Sequence, residues 1–554
     1  MNKRIKKYGI VAALGMMIAA GCVTNASRVH VYEPVDYGAV HDGLILCTAN
    51  IQKEIDLSPA GQVRSGESAH LKDPVFLDKI FDIRDYGAVS DGKTKNTEAL
   101  KKAIAECAKA GGGTVLIPKG VWLTGKIHLK SNINLHVAEG AEVRFSQNHA
   151  DYLPVVFTRW EGIECYNYSP LIYAKDCENV AVTGKGVFNG QGKSWWPWKR
   201  KQHPAAQRLY DSEYNGIQVK DRIYGTEEAA LRPPMIQLIN CRRVLLEGYT
   251  SRNSPFWNHH LVYCDGVIVR NIVLLNPHDA PNTDGIIIDS SRNVHIQGLF
   301  ADVGDDAVCI KSGMNEDGWR VGRKSENIIV ENCHVKRGHG GIVFGSDTSG
   351  GIRNVYVHNC VYDGTDIGIR LKSMRGRGGG IENIRIENIQ MNNVGSCILL
   401  NMFYGSSSAK ARSNTPPEFK NIFIKNITGK GNLTRSAITL RGLPERPIDN
   451  VVLENITINS KYGMSAFNSQ NISLKNVKLI PKKSPVIMLD DCRDVDITGA
   501  VSPKIKTFLQ LKGSNTDRIH LSENNLTLAV KKIVKGKKVP VDAVIIKTNI
   551  KTVY

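Results

Sequence analysis

A short pattern recurs along most of this 554-residue chain: an asparagine, or another polar residue, followed by an apolar-x-apolar triplet. The copies are NINL at 132, NVAV at 179, NVHI at 293, NIIV at 327, NVYV at 354, NIRI at 383, NIFI at 421, NVVL at 450, NISL at 471 and DVDI at 494. From residue 293 onward they lie 21 to 38 residues apart, which is too irregular for helical repeats of fixed length. Strands of period two that return with variable insertions are typical of a parallel β-helix, in which each coil stacks on the last. The chain is therefore predicted to be an all-β, single-stranded parallel β-helix.

The stretch TEALKKAIAECAKAGGG, which begins at residue 97, has a different period. Its apolar residues Ala99, Leu100, Ile104, Cys107 and Ala108 fall on one helical face, and the three glycines that follow would end the helix. An open β-helix end presents unpaired strand edges. We therefore expect a short N-terminal capping helix on the stack.

The first residues have the composition of an export signal, with four lysines and arginines followed by a short apolar run. Residues 1–21 are predicted to be a signal peptide. The sequence Ala19-Ala20-Gly21-Cys22 resembles a bacterial lipoprotein cleavage box, which makes Cys22 the predicted lipidation site. Plain secretion stays open, because Ala19 stands where leucine is commoner. The expected location is the periplasm or the cell surface, with a lipid anchor in the outer membrane.

Three further segments follow the predicted signal. Residues 37–56 echo residues 86–105 at a constant offset of 49, with YGAV and DG shared, so the N-terminal segment 22–79 is predicted to hold a degenerate copy of the cap. The β-helix is expected over residues 80–530 and a C-terminal tail over residues 531–554.

The formal net charge of +19 restricts the class of partner. A basic exported chain suits an acidic partner such as a polyuronic acid, an anionic lipid or a nucleic acid. The sequence contains no zinc-type Cys/His spacing, Walker loop or dinucleotide-binding fingerprint.

The 12 cysteines of an exported chain would ordinarily suggest disulfides. Half of them instead recur at one of two registers of the predicted coils: Cys177, Cys241, Cys264 and Cys492 in the first, and Cys333 and Cys360 in the second. Recurrence at one register is expected of small buried residues in stacked coils. These cysteines are therefore predicted to be unpaired.

Aspartates lie at the ends of two neighbouring predicted strands. Asp284 belongs to an Asn-Thr-Asp-Gly run, and Asp305 and Asp306 follow Gly304, with 21 residues between Asp284 and Asp305. Residues one coil apart in a parallel β-helix lie about 4.8 Å apart, so the three carboxyls are expected to meet. Neighbours in a regular strand point to opposite faces, and a bend at Gly304 is therefore required to present both Asp305 and Asp306.

Basic groups fall at matching positions on the next coils. His339 lies 12 residues after the asparagine of its own coil, as Asp305 does. Arg370 and Lys372, one coil further, are two residues apart on a strand and share a face. We expect one surface patch of three carboxylates, an imidazole and two cations.

This patch has the chemistry that glycoside hydrolysis requires. Two carboxyls held together cannot both ionise easily, so one keeps a raised pKa and can donate a proton while the other acts as a base. Arg370 and Lys372 add a place for a substrate carboxylate. Clustered aspartates could alternatively bind Ca²⁺, but the neighbouring cations disfavour it. We therefore expect no metal and no cofactor.

The motifs NTDG, GDD, GHG and RLK, in that order, resemble glycoside hydrolase family 28, the polygalacturonases and related pectinases. Leu371 departs from the usual isoleucine, at a residue expected to face away from the site. The resemblance covers about residues 80–530 and includes SPFWNHH at 254. It implies a right-handed, pectin-lyase-like β-helix that hydrolyses α-galacturonosidic linkages with inversion. Carboxyls on adjacent coils would lie closer together than the about 6.5–9.5 Å that is usual for inverting glycosidases. The resemblance therefore implies that the family is an exception to that spacing.

The resemblance also implies a role for each residue of the patch. The catalytic residues that it implies are the general acid Asp305, the water-activating pair Asp284 and Asp306, and His339, which tunes the acid. The substrate-binding residues that it implies are Arg370, Lys372 and Asn282. The implied partner is an acidic polysaccharide, pectin or its galacturonic-acid oligomers, and not a nucleic acid, and the chain is expected to act as a monomer.

Two rival functions stay open. A β-helical pectate lyase would cleave the same polymer by β-elimination with Ca²⁺. A non-catalytic glycan-binding solenoid would use Trp195, Trp196 and Trp198 as sugar-stacking residues, unless these pack an insertion. Exo action is expected, because the long insertions at 145–170 and 193–234 would wall the cleft.

Overall fold

The computed structural model describes residues 71–405, 413–431 and 433–546, and over these ranges the chain folds as a right-handed parallel β-helix. Within the coils, strands pair in parallel with the strands of the neighbouring coils. The predicted fold class is confirmed. The predicted signal at 1–21, the predicted lipidation site Cys22 and the first copy of the cap at 37–56 lie outside the described residues.

The coils contribute strands to three sheets, here called A, B and C. The strands of sheet A are Ile80–Asp82, Gly113–Ile117, Ile133–Val137, Glu178–Gly184, Arg242–Glu247, Asp265–Arg270, Arg292–Gln297, Ser325–Glu331, Asp517–Ser522 and Val544–Ile546. Those of sheet B are Asp91–Lys95, Gly120–Thr124, Ala141–Phe145, Val187–Asn189, Thr250–Arg252, Val273–Leu275, Phe300–Asp302 and His334–Lys336. Those of sheet C are Ile127–His128, Ile172–Lys175, Ile236–Ile239, His259–Val262, Ile286–Asp289, Asp306–Lys311, Gly340–Phe344, Ile367–Lys372, Ser396–Asn401, Ser436–Arg441, Ile505–Lys512 and Ala529–Lys535.

Later coils turn their corners without a break in the extended backbone. The runs Ile352–Asp363, Gly380–Asn392 and Glu418–Lys430 pass from sheet A into sheet B. The run Ile448–Thr498 winds through all three sheets. The last strand, Val544–Ile546, still pairs with Asp517–Ser522, so the stack extends past residue 530.

Alternation along each strand builds the core. In sheet C, Ile286, Val308 and Ile342 are paired in register and lie wholly buried inside the coil, while the residues between them face outward. Burying a side chain of this size stabilises the fold by about 1.5–3 kcal/mol. Because the side-chain period is two, the same pairing that fills the core also fixes which residues lie on the outer face.

The recurring asparagines form a ladder at one corner of the stack. Asn354, Asn383 and Asn421 have φ of 55°, 56° and 55°, in the left-handed region that asparagine tolerates. The side-chain amide of Asn383 donates to Asn354 at 3.2 Å, and that of Asn421 donates to Asn383 at 3.0 Å. The repeat that predicts the fold thus corresponds to one hydrogen-bonded row.

The helices are few and short within the described ranges. The α-helices are α1 (Thr97–Lys109), α2 (His203–Tyr210) and α3 (Asn315–Val321), and the 3-10 helices are Ile83–Tyr86, His149–Tyr152, Gly192–Ser194, Trp196–Arg200 and Val219–Asp221. Helix α1 buries Leu100, Ile104 and Cys107 in the main core beside the first strands, which confirms the predicted cap. No helix in these ranges is long and apolar enough to cross a membrane.

The cysteines behave as small core residues. All ten cysteines in the described ranges are buried and unpaired, including the six for which the register predicts it. The thiol of Cys264 donates to the carbonyl of Leu238 at 3.3 Å, and burial raises the pKa of Cys397 to about 12. These thiols are therefore packed among core side chains.

The two long insertions pack on the outer face of sheet C. The strands Val156–Trp160 and Ile163–Asn167 form an antiparallel hairpin. The hairpin, α2 and the chain that follows α2 bury an apolar cluster against outward-facing residues of sheet C; the cluster includes Trp160, Ile163, Leu209, Leu231, Ile287, Cys309 and Val343. The insertions therefore cover this face rather than extend into solvent.

We predict that Asn383→Ala lowers the free energy of unfolding by about 2–3 kcal/mol, because two side-chain hydrogen bonds are lost and alanine is strained at positive φ. Urea unfolding of the purified protein measures it. Asn383→Gly, which relieves the backbone strain alone, should lose less. Exposed Asn515→Ala, outside the ladder, should stay within about 0.5 kcal/mol of wild type. Equal stability of wild type and Asn383→Ala would show that the ladder does not stabilise the stack.

Candidate active site

Three of the four sequence motifs lie where strands of sheet C begin. Asp284 precedes the strand Ile286–Asp289, Asp306 is the first residue of the next strand, and His339 immediately precedes the strand after that. Carboxylate oxygens of Asp284, Asp305 and Asp306 lie within 4.8 Å of one another. The predicted convergence of the three carboxyls is therefore present in the fold.

The backbone bends at Gly304, as presentation of both neighbouring aspartates requires. A β-carbon at Gly304 would lie 2.5 Å from the carbonyl oxygen of Ala280, so only glycine fits. Asp305 stays outside the strand, and its Oδ1 accepts a hydrogen bond from the N–H of Asp306 at 2.9 Å. This turn brings the two side chains to one side of the sheet.

Asp305 is the most accessible of the three carboxylates, with 17% of its side chain exposed. Nδ1 of His339 lies 3.0 Å from its Oδ1 in a hydrogen bond, and the amide of Asn282 donates to its Oδ2 at 3.4 Å. The hydrogen bond to Asp305 raises the pKa of His339, so the imidazole keeps its proton to higher pH than usual.

Asp284 and Asp306 lie side by side but have opposite electrostatic environments. Burial raises the pKa of Asp284 well above its usual range, and the charges of Asp305 and Asp306 raise it further. Burial also opposes ionisation of Asp306, but the charges of Lys372 and Arg370 outweigh it and lower the pKa of that carboxyl to about 2. One carboxylate is therefore fixed as an anion beside another that holds a proton more readily.

Asp284 and Asp306 each keep one buried oxygen available. Neither Asp284 Oδ1 nor Asp306 Oδ1 has a hydrogen-bond partner among the described residues. Such atoms can accept a hydrogen bond from a water molecule or a substrate hydroxyl.

Arg370 and Lys372 both face outward, and Leu371 between them lies wholly buried in the core, as predicted. Lys372 Nζ donates to Asp306 Oδ2 at 2.7 Å, and Arg370 Nη1 lies 3.6 Å from Asp306 Oδ1. Lys372 is nearly buried in this pair, which leaves Arg370 as the more accessible cation.

Tyr404 is a site residue that the sequence did not indicate. Its ring centre lies 5.5 Å from the guanidinium carbon of Arg370 and 5.3 Å from Lys372 Nζ, and a ring face at this distance attracts a cation. Tyr404 lies one coil after Lys372, the last predicted site residue, and belongs to none of the four motifs. Neither the strand period nor the charge pattern of the sequence therefore distinguishes it.

Arg232, in the second insertion, is a further residue that the sequence did not indicate. It is wholly buried, and it donates to Asn282 Oδ1 at 2.8 Å and to the carbonyl of Pro281 at 2.6 Å. Burial lowers the pKa of Arg232 to about 10. The insertion thus holds the loop that carries Asn282 and Asp284.

A buried polar network fixes the hairpin on sheet C. Arg159 donates to Asp289 Oδ1 at 2.9 Å, and His260 Nε2 lies 3.3 Å from Asp289 Oδ2. Burial opposes ionisation of Asp289, but the charge of Arg159 outweighs it, so the pKa of Asp289 is lowered. The hairpin is consequently held by a charged pair as well as by apolar packing.

The tryptophans at 195 and 198 pack inside the fold and do not form an exposed sugar-stacking surface. Trp195 and Trp198 are buried, and their ring centres lie 4.1 and 4.4 Å from that of His149. Trp196 is half-buried and donates from its indole N–H to the carbonyl of Ser254 at 2.9 Å. Trp195 and Trp198 therefore present no exposed face to a sugar.

Comparison with known proteins agrees with this geometry. Residues 107–472 match the model of the glycosyl hydrolases family 28. An exo-poly-alpha-D-galacturonosidase of Dickeya chrysanthemi is 27% identical, covering 72% of this chain and 71% of its own length, and a polygalacturonase of Cryptomeria japonica is 29% identical over 70% and 68%.

Among solved structures, a hyperthermoactive exopolygalacturonase from Thermotoga maritima superposes with a TM-score of 0.71. It is 37% identical in sequence, and the match covers 78% of this chain and 96% of that one. The span that matches the family model, residues 107–472, includes every carboxylate and cation of the site described above. On these grounds the chain belongs to glycosyl hydrolase family 28.

Proposed function

We propose that this protein hydrolyses the α-galacturonosidic linkages of pectin. The observation that carries the proposal is the convergence of Asp284, Asp305 and Asp306, whose carboxylate oxygens lie within 4.8 Å of one another beside Lys372 and Arg370. The similarity to polygalacturonases and exo-galacturonosidases supports a galacturonan as substrate.

Asp305 is the proposed general acid. It is more accessible than its two neighbours, and its carboxyl is held by His339 and Asn282, so it can reach a glycosidic oxygen. A protonated His339 beside it stabilises the carboxylate left after proton transfer. Arg232 supports this geometry from behind through its contact with Asn282.

Asp284 and Asp306 are the proposed pair that activates water. Each has a buried oxygen with no partner in the described part of the chain, and these oxygens can hold one water molecule between them. Asp306 remains an anion at neutral pH because of Lys372 and Arg370. Direct attack by that water inverts the anomeric centre.

Arg370 is the proposed main contact of the substrate carboxylate. Its Nε has no hydrogen-bond partner among the described residues, and Tyr404 lies under its guanidinium. Lys372 adds charge to the same place while it keeps Asp306 ionised. These cations beside Asp306 disfavour a Ca²⁺ ion at the three aspartates, which argues against the calcium-dependent lyase.

The outer face of sheet C indicates how the polymer enters. On the coils that precede Arg370, including those that carry the catalytic carboxyls, the row of outward residues Gln237, His260, Ile287, Cys309 and Val343 is wholly buried under the insertions. From Arg370 onward, through Leu399 and Thr439, the same row is partly exposed. A cleft blocked on one side of the catalytic carboxyls and open on the other admits a chain end, so we propose exo action.

Export and anchoring complete the proposal. The residues that carry it are the predicted signal at 1–21 and Cys22 in its lipoprotein-type box. A lipid at Cys22 would hold the enzyme at the outer membrane, in the periplasm or at the cell surface, where galacturonan fragments arrive.

We predict that Asp305→Asn folds normally and loses about 10²–10⁴-fold in turnover, because an amide is a poor proton donor. Release of reducing ends from polygalacturonate measures it. Asp78→Asn, an exposed change at the far end of the stack, is the matched control and should keep full activity. Turnover of Asp305→Asn within a few-fold of wild type would remove it from the acid role. Unsaturated product ends and loss of activity in EDTA would indicate the lyase instead.

We predict that galacturonic acid monomer is the first product and that polymer solutions thin slowly as reducing ends appear. The blocked side of the cleft leaves no room for the polymer to continue past the catalytic carboxyls. Viscometry combined with product sizing measures both quantities in one reaction. A sharp fall in viscosity while few ends have formed would show internal cleavage and would contradict exo action.

We predict that the wild-type protein, expressed from the full sequence in a bacterial host, partitions into the detergent phase, and that Cys22→Ser moves it to the aqueous phase. The reason is that only a thiol at residue 22 can take the lipid. Cys47→Ser is the matched control, since it removes another N-terminal thiol and should leave partitioning unchanged. Recovery of wild type in the aqueous phase would contradict lipidation.

A further inference from the structure

Beyond Arg370 and Lys372, the open part of sheet C carries a second group of cationic and aromatic side chains. Strand register places Asn401, Arg441 and Phe467 in line with Lys372, all facing outward on successive coils. Since coils are about 4.8 Å apart, Arg441 lies about 10 Å beyond Lys372 along the stack. This row continues the cleft away from the blocked side.

Phe403 lies at the centre of this group. It is 39% exposed, although large apolar side chains are usually covered. The guanidinium carbons of Arg375 and Arg441 lie 5.3 and 5.5 Å from its ring centre. The N–H of Phe403 donates to Asn401 Oδ1 at 3.0 Å, which fixes the backbone that carries the ring.

The two arginines differ in their charge balance. Arg375 Nη2 donates to Glu445 Oε2 at 3.0 Å, and this contact lowers the pKa of the Glu445 carboxyl. No carboxylate in the described ranges forms an ion pair with Arg441, whose side chain is exposed. Arg441 therefore has a positive charge to offer a ligand.

We propose that Phe403 and Arg441 form an additional sugar-binding subsite, for a galacturonate unit of the polymer beyond the one that Arg370 contacts. The apolar face of a pyranose ring would stack on Phe403, and its carboxylate would hydrogen-bond to Arg441. Arg375 also contacts the Phe403 ring, while its own charge is balanced by Glu445. The inference rests on the proposed function, because it assumes that the polymer enters from the open side.

The subsite predicts a dependence on chain length. A dimer of galacturonic acid can occupy only the positions next to the catalytic carboxyls, whereas longer oligomers also reach Arg441. Arg441→Gln should therefore lower the ratio of kcat/KM for the tetramer or pentamer to kcat/KM for the dimer by about tenfold. Most of the change should be in KM, because binding remote from the reacting bond is equal in the ground and transition states.

Variants of the same residues separate charge and stacking from loss of structure. Arg441→Lys should restore part of the ratio, and Phe403→Tyr should retain it while Phe403→Ala lowers it. Arg493→Gln, an exposed arginine on sheet A away from the cleft, is the matched control and should leave the ratio at the wild-type value. An unchanged ratio in Arg441→Gln, or an equal loss for dimer and pentamer, would overturn the subsite.

A binding measurement keeps the subsite testable apart from the mode of cleavage. In the Asp305→Asn background, calorimetric titration with dimer and pentamer should show that Arg441→Gln weakens pentamer binding about tenfold more than dimer binding. If wild type cuts internally, exo action is wrong but this comparison still decides the subsite. If pentamer binding is the same with and without Arg441→Gln, the subsite is wrong even when the enzyme releases monomer.

Discussion

The parallel register of sheet C is the constraint on which the active site depends. It is held by residues such as Val308, Ile342 and Leu371, which are buried inside the coil. A shift of one residue in the strand Ile367–Lys372 would turn Arg370 and Lys372 into the core and Leu371 into the cleft. The catalytic arrangement is therefore stabilised mainly by apolar packing that never touches substrate.

Register also produces the electrostatic contrast at the centre of the site. Lys372 donates directly to Asp306, whereas its charge only partly offsets the burial and the like charges that raise the pKa of Asp284, so two adjacent carboxyls receive opposite pKa shifts. The cations that would bind a uronate also keep the base ionised, and one pair of side chains serves both purposes. A calcium ion would have to compete with both of them.

The periodic part of the fold could be predicted from the sequence, because each coil repeats the same local pattern. The sequence also contains the residues of a second asparagine ladder. Asn359, Asn388, Asn426, Asn455 and Asn476 lie five residues after members of the first, and their amides bond from coil to coil. The ordered motifs likewise predicted the carboxylates and cations. Arg159, Arg232 and Tyr404 could not be predicted, because they lie in insertions and connections between coils, whose path no periodicity encodes.

The contact between Arg232 and Asn282 joins the insertion that covers sheet C to the loop that carries the catalytic residues. Arg232 belongs to an insertion that closes the cleft, yet it donates hydrogen bonds to the loop that positions Asp284 and, through Asn282, Asp305. Deleting the insertion to open the cleft would leave the carbonyl of Pro281 and the side chain of Asn282 without their buried donor. Conversion to an enzyme that attacks mid-chain would thus require a new support for this loop, so the mode of attack and the chemistry cannot be altered independently by shortening one loop.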